Sequence, residues 1–150
     1  MKRTIKSNSV VDARELIFVT KCAIGFLVDF DKNKKFYKKE LKKQVYNGIE
    51  QMGKDVAKIC IMLNMYIIES KLKKEDRAIR EVDAVEHYMV YRYATFFLEG
   101  VKNGVIKDVD NIINGRTAQF VDTVYKRADE YQKELDEAVE DTKAENKESK

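Results

Sequence analysis

The chain has no proline and no tryptophan among its 150 residues, a single histidine, two cysteines and six glycines. Each shortage excludes something. Average proline usage near 5% would supply about seven in this length, and with so few glycines the chain lacks the turn residues of a many-stranded sandwich or barrel. No Gly-rich phosphate loop and no βαβ alternation supports a nucleotide-binding α/β fold. Cys22 and Cys60 stand 38 positions apart, each inside an apolar run. That spacing fits neither a zinc motif nor a redox dithiol, so both read as small core residues. The longest stretch without a charge, Ile59 to Ile68, is ten residues, about half of the roughly 20 that a membrane span requires. The N-terminal Lys2, Arg3 and Lys6 are followed by Asp12, Arg14 and Glu15 rather than by an apolar signal region. A soluble, cytoplasmic protein with no membrane partner is the expectation.

What is present is helical periodicity. Val10, Val11, Ala13, Leu16, Ile17, Thr20, Ala23, Ile24, Leu27 and Val28 recur at threes and fours, predicting a first helix over about 10–28. Asp29, Asp31 and Asn33 then predict a turn, because short polar side chains compete for backbone hydrogen bonds. The series Leu41, Val45, Ile49, Met52, Val56, Ile59, Leu63, Ile67 predicts a second, long helix over about 35–70 with that stripe in the core. Gly48 and Gly53 within it are expected to admit a close neighbour. A third helix begins near Lys74 and carries Ala78, Val82, Val85, Met89, Tyr93 and Phe96 to a stop at Asn103-Gly104. Asp108 is placed to cap a fourth, with Val109, Ile113, Phe120, Val124, Ala128, Tyr131 and Leu135 inward. Short connections between long helices predict an all-α, up-down-up-down four-helix bundle over 10–135. A flexible basic N-terminus at 1–9 precedes it, and a charged acidic tail at 136–150, expected to fray, follows.

The formal charge of +3 hides an asymmetry. Residues 129–150 carry nine acids and four lysines, a net of −5, which leaves +8 on residues 1–128. The densest basic block, Lys32 to Lys43, holds seven lysines in twelve residues against the single acid Glu40. Such a block is ordinarily a solvated helix face. On a continuous helix, Lys35, Lys38, Lys39 and Lys42 fall at i, i+3, i+4 and i+7, with Lys34 and Lys43 beside them. That places six ammonium groups together as a candidate nucleic-acid-binding face, since phosphate contacts by lysine are electrostatic and sequence-blind.

The second and third helices are apolar on more than one side. Ile61, Met62, Met65 and Tyr66 of the second and Tyr88, Tyr91 and Phe97 of the third fall off the main stripes and either broaden the core face or form an interface for self-association, chiefly through Met62, Tyr66, Tyr88, Tyr91 and Phe97. Chemistry is sparsely signalled. A di-iron bundle needs Glu-x-x-His pairs, but Ala84 stands three before the lone His87. His87 reads as a packed or interfacial residue. Glu134-x-x-Glu137 and Glu137-x-x-Glu140 match half of the acidic magnesium motif of all-α pyrophosphatases, in a tail that is simply rich in acids. No nucleophile signature surrounds His87. No enzyme activity, catalytic residue, metal or cofactor is expected.

Taken together, several segments resemble the bacterial four-helix-bundle family that contains the accessory variability determinant of diversity-generating retroelements and the ribosomal intervening-sequence proteins. They are Leu16-Ile17-Phe18-Val19, the basic entry Phe30-Asp31-Lys32-Asn33-Lys34-Lys35-Phe36, and Leu41-Lys42-Lys43-Gln44-Val45-Tyr46-Asn47-Gly48-Ile49. Val82-Asp83-Ala84-Val85, Tyr91-Arg92-Tyr93-Ala94 and Ile112-Ile113-Asn114-Gly115 continue the likeness over about 10–130. The chain departs from the family's habit of a proline between the first two helices and a tryptophan late in the fourth. For the retroelement branch the resemblance implies a basic, non-catalytic homo-oligomer, a pentamer, that binds structured RNA and a reverse transcriptase. The competing reading is a structural or regulatory bundle that binds another protein and no nucleic acid.

Overall fold

The computed structural model describes residues 13–73 and 84–148, leaving aside the side chains of 13, 66–73, 84–87, 138–139 and 141–148. The N-terminal segment 1–9, the expected start of the third helix at Lys74, and the side chains of Tyr66 and His87 lie outside the described residues. Among the described residues every regular element is a helix: α1 (Ala13–Lys32), α2 (Lys34–Glu40), α3 (Lys43–Lys73), α4 (Ala84–Lys102) and α5 (Val121–Glu148), with a 3-10 turn at Ala118–Phe120. The protein is all-α, and its described residues form five α-helices where periodicity predicts four.

α1 and α4 form the middle of the molecule and make its widest contact; α3 packs on both, and α5 packs on α4. Central position explains why both middle helices are apolar nearly all round. Leu16, Phe18, Val19, Cys22, Ala23 and Phe26 of α1 are buried, as are Val90, Tyr91, Tyr93, Ala94, Phe97 and Leu98 of α4. Cys60 joins Cys22 in the core, and burial pushes its thiol up to about 12. Both cysteines are free and far from the thiolate form that reacts.

The long second helix is interrupted. Leu41 is extended (φ −91°, ψ 149°), so α2 and α3 meet at an elbow. The cause is aromatic burial. Tyr37 packs edge-on against Phe26 with centroids 5.7 Å apart and lies 5.4 Å from Phe30, while Tyr46 beyond the elbow lies 5.3 Å from Phe30. The Tyr37 hydroxyl donates to the Asp29 carboxylate, which fastens α2 to α1. Aromatic pairs add about 0.5–1.5 kcal/mol each beyond their area. A helical break at exposed Lys42 forfeits backbone bonds worth about 1 kcal/mol net, so the broken path wins.

α3 buries Tyr46, Ile49, Val56, Cys60 and Leu63, with the Leu27 methyl 3.2 Å from where a Cβ on Gly53 would stand. The expected stripe is thus half corrected: Ile49, Val56 and Leu63 are core, whereas Val45 and Met52 face solvent. Gly53 admits a neighbour as expected, but nothing lies within 4 Å of a Cβ on Gly48.

α1 ends as the polar residues suggest, although one turn later. The Asn33 side-chain amide donates to the Asp29 carbonyl and carboxylate. α4 stops at Lys102 and Gly104 follows with φ +76°, the left-handed closure that Asn103-Gly104 predicts. The fourth long helix starts at Val121 rather than after Asp108. Asp108 does cap, but it caps a turn: its two carboxylate oxygens accept from the backbone N–H groups of Ile112 and Ile113. Asn111 in the left-handed region (φ 52°) then turns the chain away from a helical path. Val109, expected inside, is 80% exposed. α5 runs on through the acidic segment to Glu148 instead of ending near Leu135.

Among the described residues one charged group is deeply buried. Glu15 accepts a 2.6 Å hydrogen bond from the Tyr91 hydroxyl, and Nε of Arg127 donates to its other oxygen at 3.0 Å. This network ties α1, α4 and α5 together.

Candidate nucleic-acid interface

The elbow decides how the lysines are displayed. Lys34, Lys35, Lys38 and Lys39 belong to α2, Lys42 lies in the extended corner, and Lys43 opens α3. All six side chains are exposed. The single helical stripe expected for Lys35, Lys38, Lys39 and Lys42 is therefore corrected. The break at Leu41 takes Lys42 off the α2 face, and the six cations wrap a corner of the molecule. Tyr37 is the anchor that holds them there, because it is the one buried residue of α2 and its ring is locked among Phe26, Phe30 and the Asp29 carboxylate. Burial and the hydrogen bond to Asp29 push its phenol well above the usual range, so it stays neutral and keeps donating.

Among the described residues only Lys34 of this group has an ion pair, with Asp31 at 3.5 Å, and both partners are half or more exposed. Such a pair contributes little. The remaining five ammonium groups depend on solvent and counterions, which is the condition under which binding a polyanion releases ions and gains free energy.

The residues expected to form an interface separate into three groups. Tyr91 and Phe97 are 0% and 2% exposed within one chain, which corrects their assignment to leftover surface. Their apolar excess serves α4's central position. Tyr88 is half-buried under the Arg92 guanidinium, 5.4 Å from its ring centre. Met62 is 51% exposed, Ile61 and Met65 are exposed with it off the main stripe, and Val45 and Met52, expected in the core, are exposed as well. Val45 and Met52 lie seven apart, two turns of helix, and partly buried Ile59 continues the row. The row begins directly after Lys43, so an apolar edge of α3 runs away from the basic elbow. The signal that could have revealed it was the pairing of Val45, Met52 and Ile59 with Tyr46, Gly53 and Cys60, two edges flanking one ridge.

Among the described residues, no helix is long and apolar enough to cross a membrane and no three His, Cys, Asp or Glu side chains converge as a metal site. No family model, no curated protein and no solved structure matches the chain.

Proposed function

We propose that the protein is a non-catalytic, cytoplasmic accessory bundle that binds structured RNA through the lysine elbow and self-associates through the exposed edge of α3. In this reading the four long helices alternate up and down, with α2 as the elbow. The observation that carries it is the set of five cations, Lys35, Lys38, Lys39, Lys42 and Lys43, that are exposed and lack ion pairs among the described residues around an elbow whose first arm is anchored by a buried tyrosine. Four or five phosphate contacts from one subunit bind weakly at physiological salt. Repetition of the elbow in an oligomer raises affinity through effective concentration. Val45 and Met52 on that edge, with Met62 and Met65 further round the outer side of α3, supply apolar surface for that contact. The family resemblance supports the same role, with a pentamer and a reverse transcriptase as partner in a diversity-generating retroelement.

The test is a titration of structured RNA and duplex DNA at two salt concentrations. It compares the natural chain with Lys38→Glu/Lys39→Glu/Lys42→Glu, alongside light scattering of Met52→Lys/Met62→Lys. Affinity that falls steeply with salt and is lost in the lysine variant, together with an oligomer that the methionine variant dissociates, is the expected result. Unchanged binding in a folded lysine variant assigns the elbow to solubility and favours a protein-binding bundle. A monomeric natural chain at tens of micromolar refutes self-association.

A further inference from the structure

On α1, Lys21, Ile24, Gly25, Val28, Asp29 and Lys32 share one side, spaced i, i+3, i+4, i+7, i+8 and i+11. The connection between α4 and α5 crosses that side and encloses a cleft of about 860 Å³, within the roughly 300–1,000 Å³ of small-molecule sites. Its floor is apolar: Ile24, Val28, Ile106 and Ile112, backed by the edge of the Phe97 ring, which reaches the wall because residue 25 has no side chain. Four cations stand around it, Lys21 and Lys32 from α1 and Lys107 and Arg116 from the connection.

The balance of charge is what distinguishes this cleft. None of the four cations has an ion pair among the described residues. Of the two acids at the rim, Asp29 is already occupied, accepting from the Tyr37 hydroxyl and the Asn33 amide. Even so both carboxylates keep their charge, and four cations against Asp29 and Asp110 leave the rim at a net +2. The crossing segment is also built to hold its shape. Ile106 N–H donates to the Gly100 carbonyl at 3.0 Å, and the Asp108 carboxylate grips Ile112 and Ile113. Yet this fastened segment leaves Val109 80% exposed at the rim, opposite Val28, itself 47% exposed. A preformed apolar floor with exposed rim valines and a rim of net positive charge is complementary to one kind of molecule.

We infer that the cleft binds a small organic anion, a compound with an aromatic or aliphatic body and a carboxylate, sulfonate or phosphate group. The body lies on Ile24, Val28 and Ile112, and the anionic group is held between Lys21, Lys107 and Arg116. Binding in a preformed cleft orders few new side chains, so modest contact area suffices for measurable affinity. The site is separate from the α2 lysines and does not rest on nucleic-acid binding.

The probe is 8-anilinonaphthalene-1-sulfonate titrated into the full chain by fluorescence and calorimetry, with neutral N-phenyl-1-naphthylamine and inorganic phosphate as controls. Saturable binding of one sulfonate per chain is expected, with the neutral analogue and bare phosphate each about tenfold weaker or worse. Lys21→Glu/Arg116→Glu lowers the sulfonate affinity by about tenfold, and Val28→Asp lowers it without altering the helical signal. Lys38→Glu/Lys39→Glu/Lys42→Glu leaves it unchanged. Equal affinity for the neutral analogue overturns the inference. So does sulfonate binding that survives both cleft variants and disappears in Met52→Lys/Met62→Lys, since that places the probe on α3.

Discussion

Three glycines inside helices have very different surroundings, and alanine at each isolates packing from propensity. Replacing a helical glycine by alanine gains about 0.4–1 kcal/mol from chain entropy wherever the methyl group fits. At Gly48 nothing lies within 4 Å of the new Cβ, so the gain is realised in full. At Gly53 the nearest atom is a terminal methyl of Leu27 at 3.2 Å, which a small rotamer adjustment relieves, so the change is near neutral. At Gly25 the Cβ meets the Phe97 ring at 2.8 Å and 3.1 Å. That ring is 2% exposed, and apart from the edge that lines the cleft it is held by the core, so it gives way only at a cost. Overpacking of this kind costs about 1–3 kcal/mol, leaving a net loss of about 1–2 kcal/mol after the propensity gain. Gly48→Ala and Gly25→Ala should therefore differ by about 2–3 kcal/mol, which at about 2–4 °C per kcal/mol is roughly 5–10 °C in Tm. Thermal melts followed by helical circular dichroism, with urea unfolding to check that the m-value is constant, measure it. A Gly25→Ala variant that melts with or above Gly48→Ala refutes the close approach of α1 to α4.

Removing Arg127 strands the Glu15 carboxylate, 2% exposed, with the Tyr91 hydroxyl as its remaining described partner. Arg127→Met should cost about 3 kcal/mol. Glu15→Gln should cost about 1–2 kcal/mol, because the 25%-exposed arginine can turn to water. Urea midpoints rank the two, and the reverse order sinks the account. The buried tyrosines predict alkaline unfolding. Burial above all raises Tyr131 to about 12 and Tyr91 well above its ordinary value. The folded state thus keeps protons that an unfolded tyrosine loses near pH 10. Stability is whole below about pH 10 and drains as pH rises toward about 12, by up to about 1.4 kcal/mol per pH unit for each such tyrosine. Urea midpoints that are equal at pH 9 and pH 11 refute it.

Fold class was legible because period and composition agree at every long segment, and Asn33, Asn103-Gly104 and the two core cysteines stand as their local chemistry predicts. The failures share a cause. Ile49, Val56 and Leu63 are flanked by two rows with helical spacing, Val45 and Met52 on one side and Tyr46, Gly53 and Cys60 on the other. Hydrophobicity favours the first row. The aromatic cluster of α1 and the close passage of Leu27 select the second, and neither is visible until the helices are packed. The elbow at Leu41 was hidden for a related reason, since every residue around it tolerates a helix and the break answers a distant demand, the burial of Tyr37. For the candidate site, the lysines were readable as a cluster but not as a corner. The cleft was unreadable, because Lys21 and Arg116 come to line one cleft only through the path of the α4–α5 connection.

The contact between α1 and α4 sets an order of events in synthesis. Glu15 and Tyr91 are separated by 76 positions, and α4 makes the widest contact with α1. At roughly 5–20 residues per second, the 51 positions between the end of α1 and the start of α4 take roughly 3–10 s to make. Throughout that interval Phe18, Val19 and Cys22 have only α2 and α3 to shelter them. The slow step of folding is then closure of a long loop rather than zipping of adjacent hairpins. The nascent N-terminal half is the form of this protein most exposed to aggregation and most in need of a chaperone.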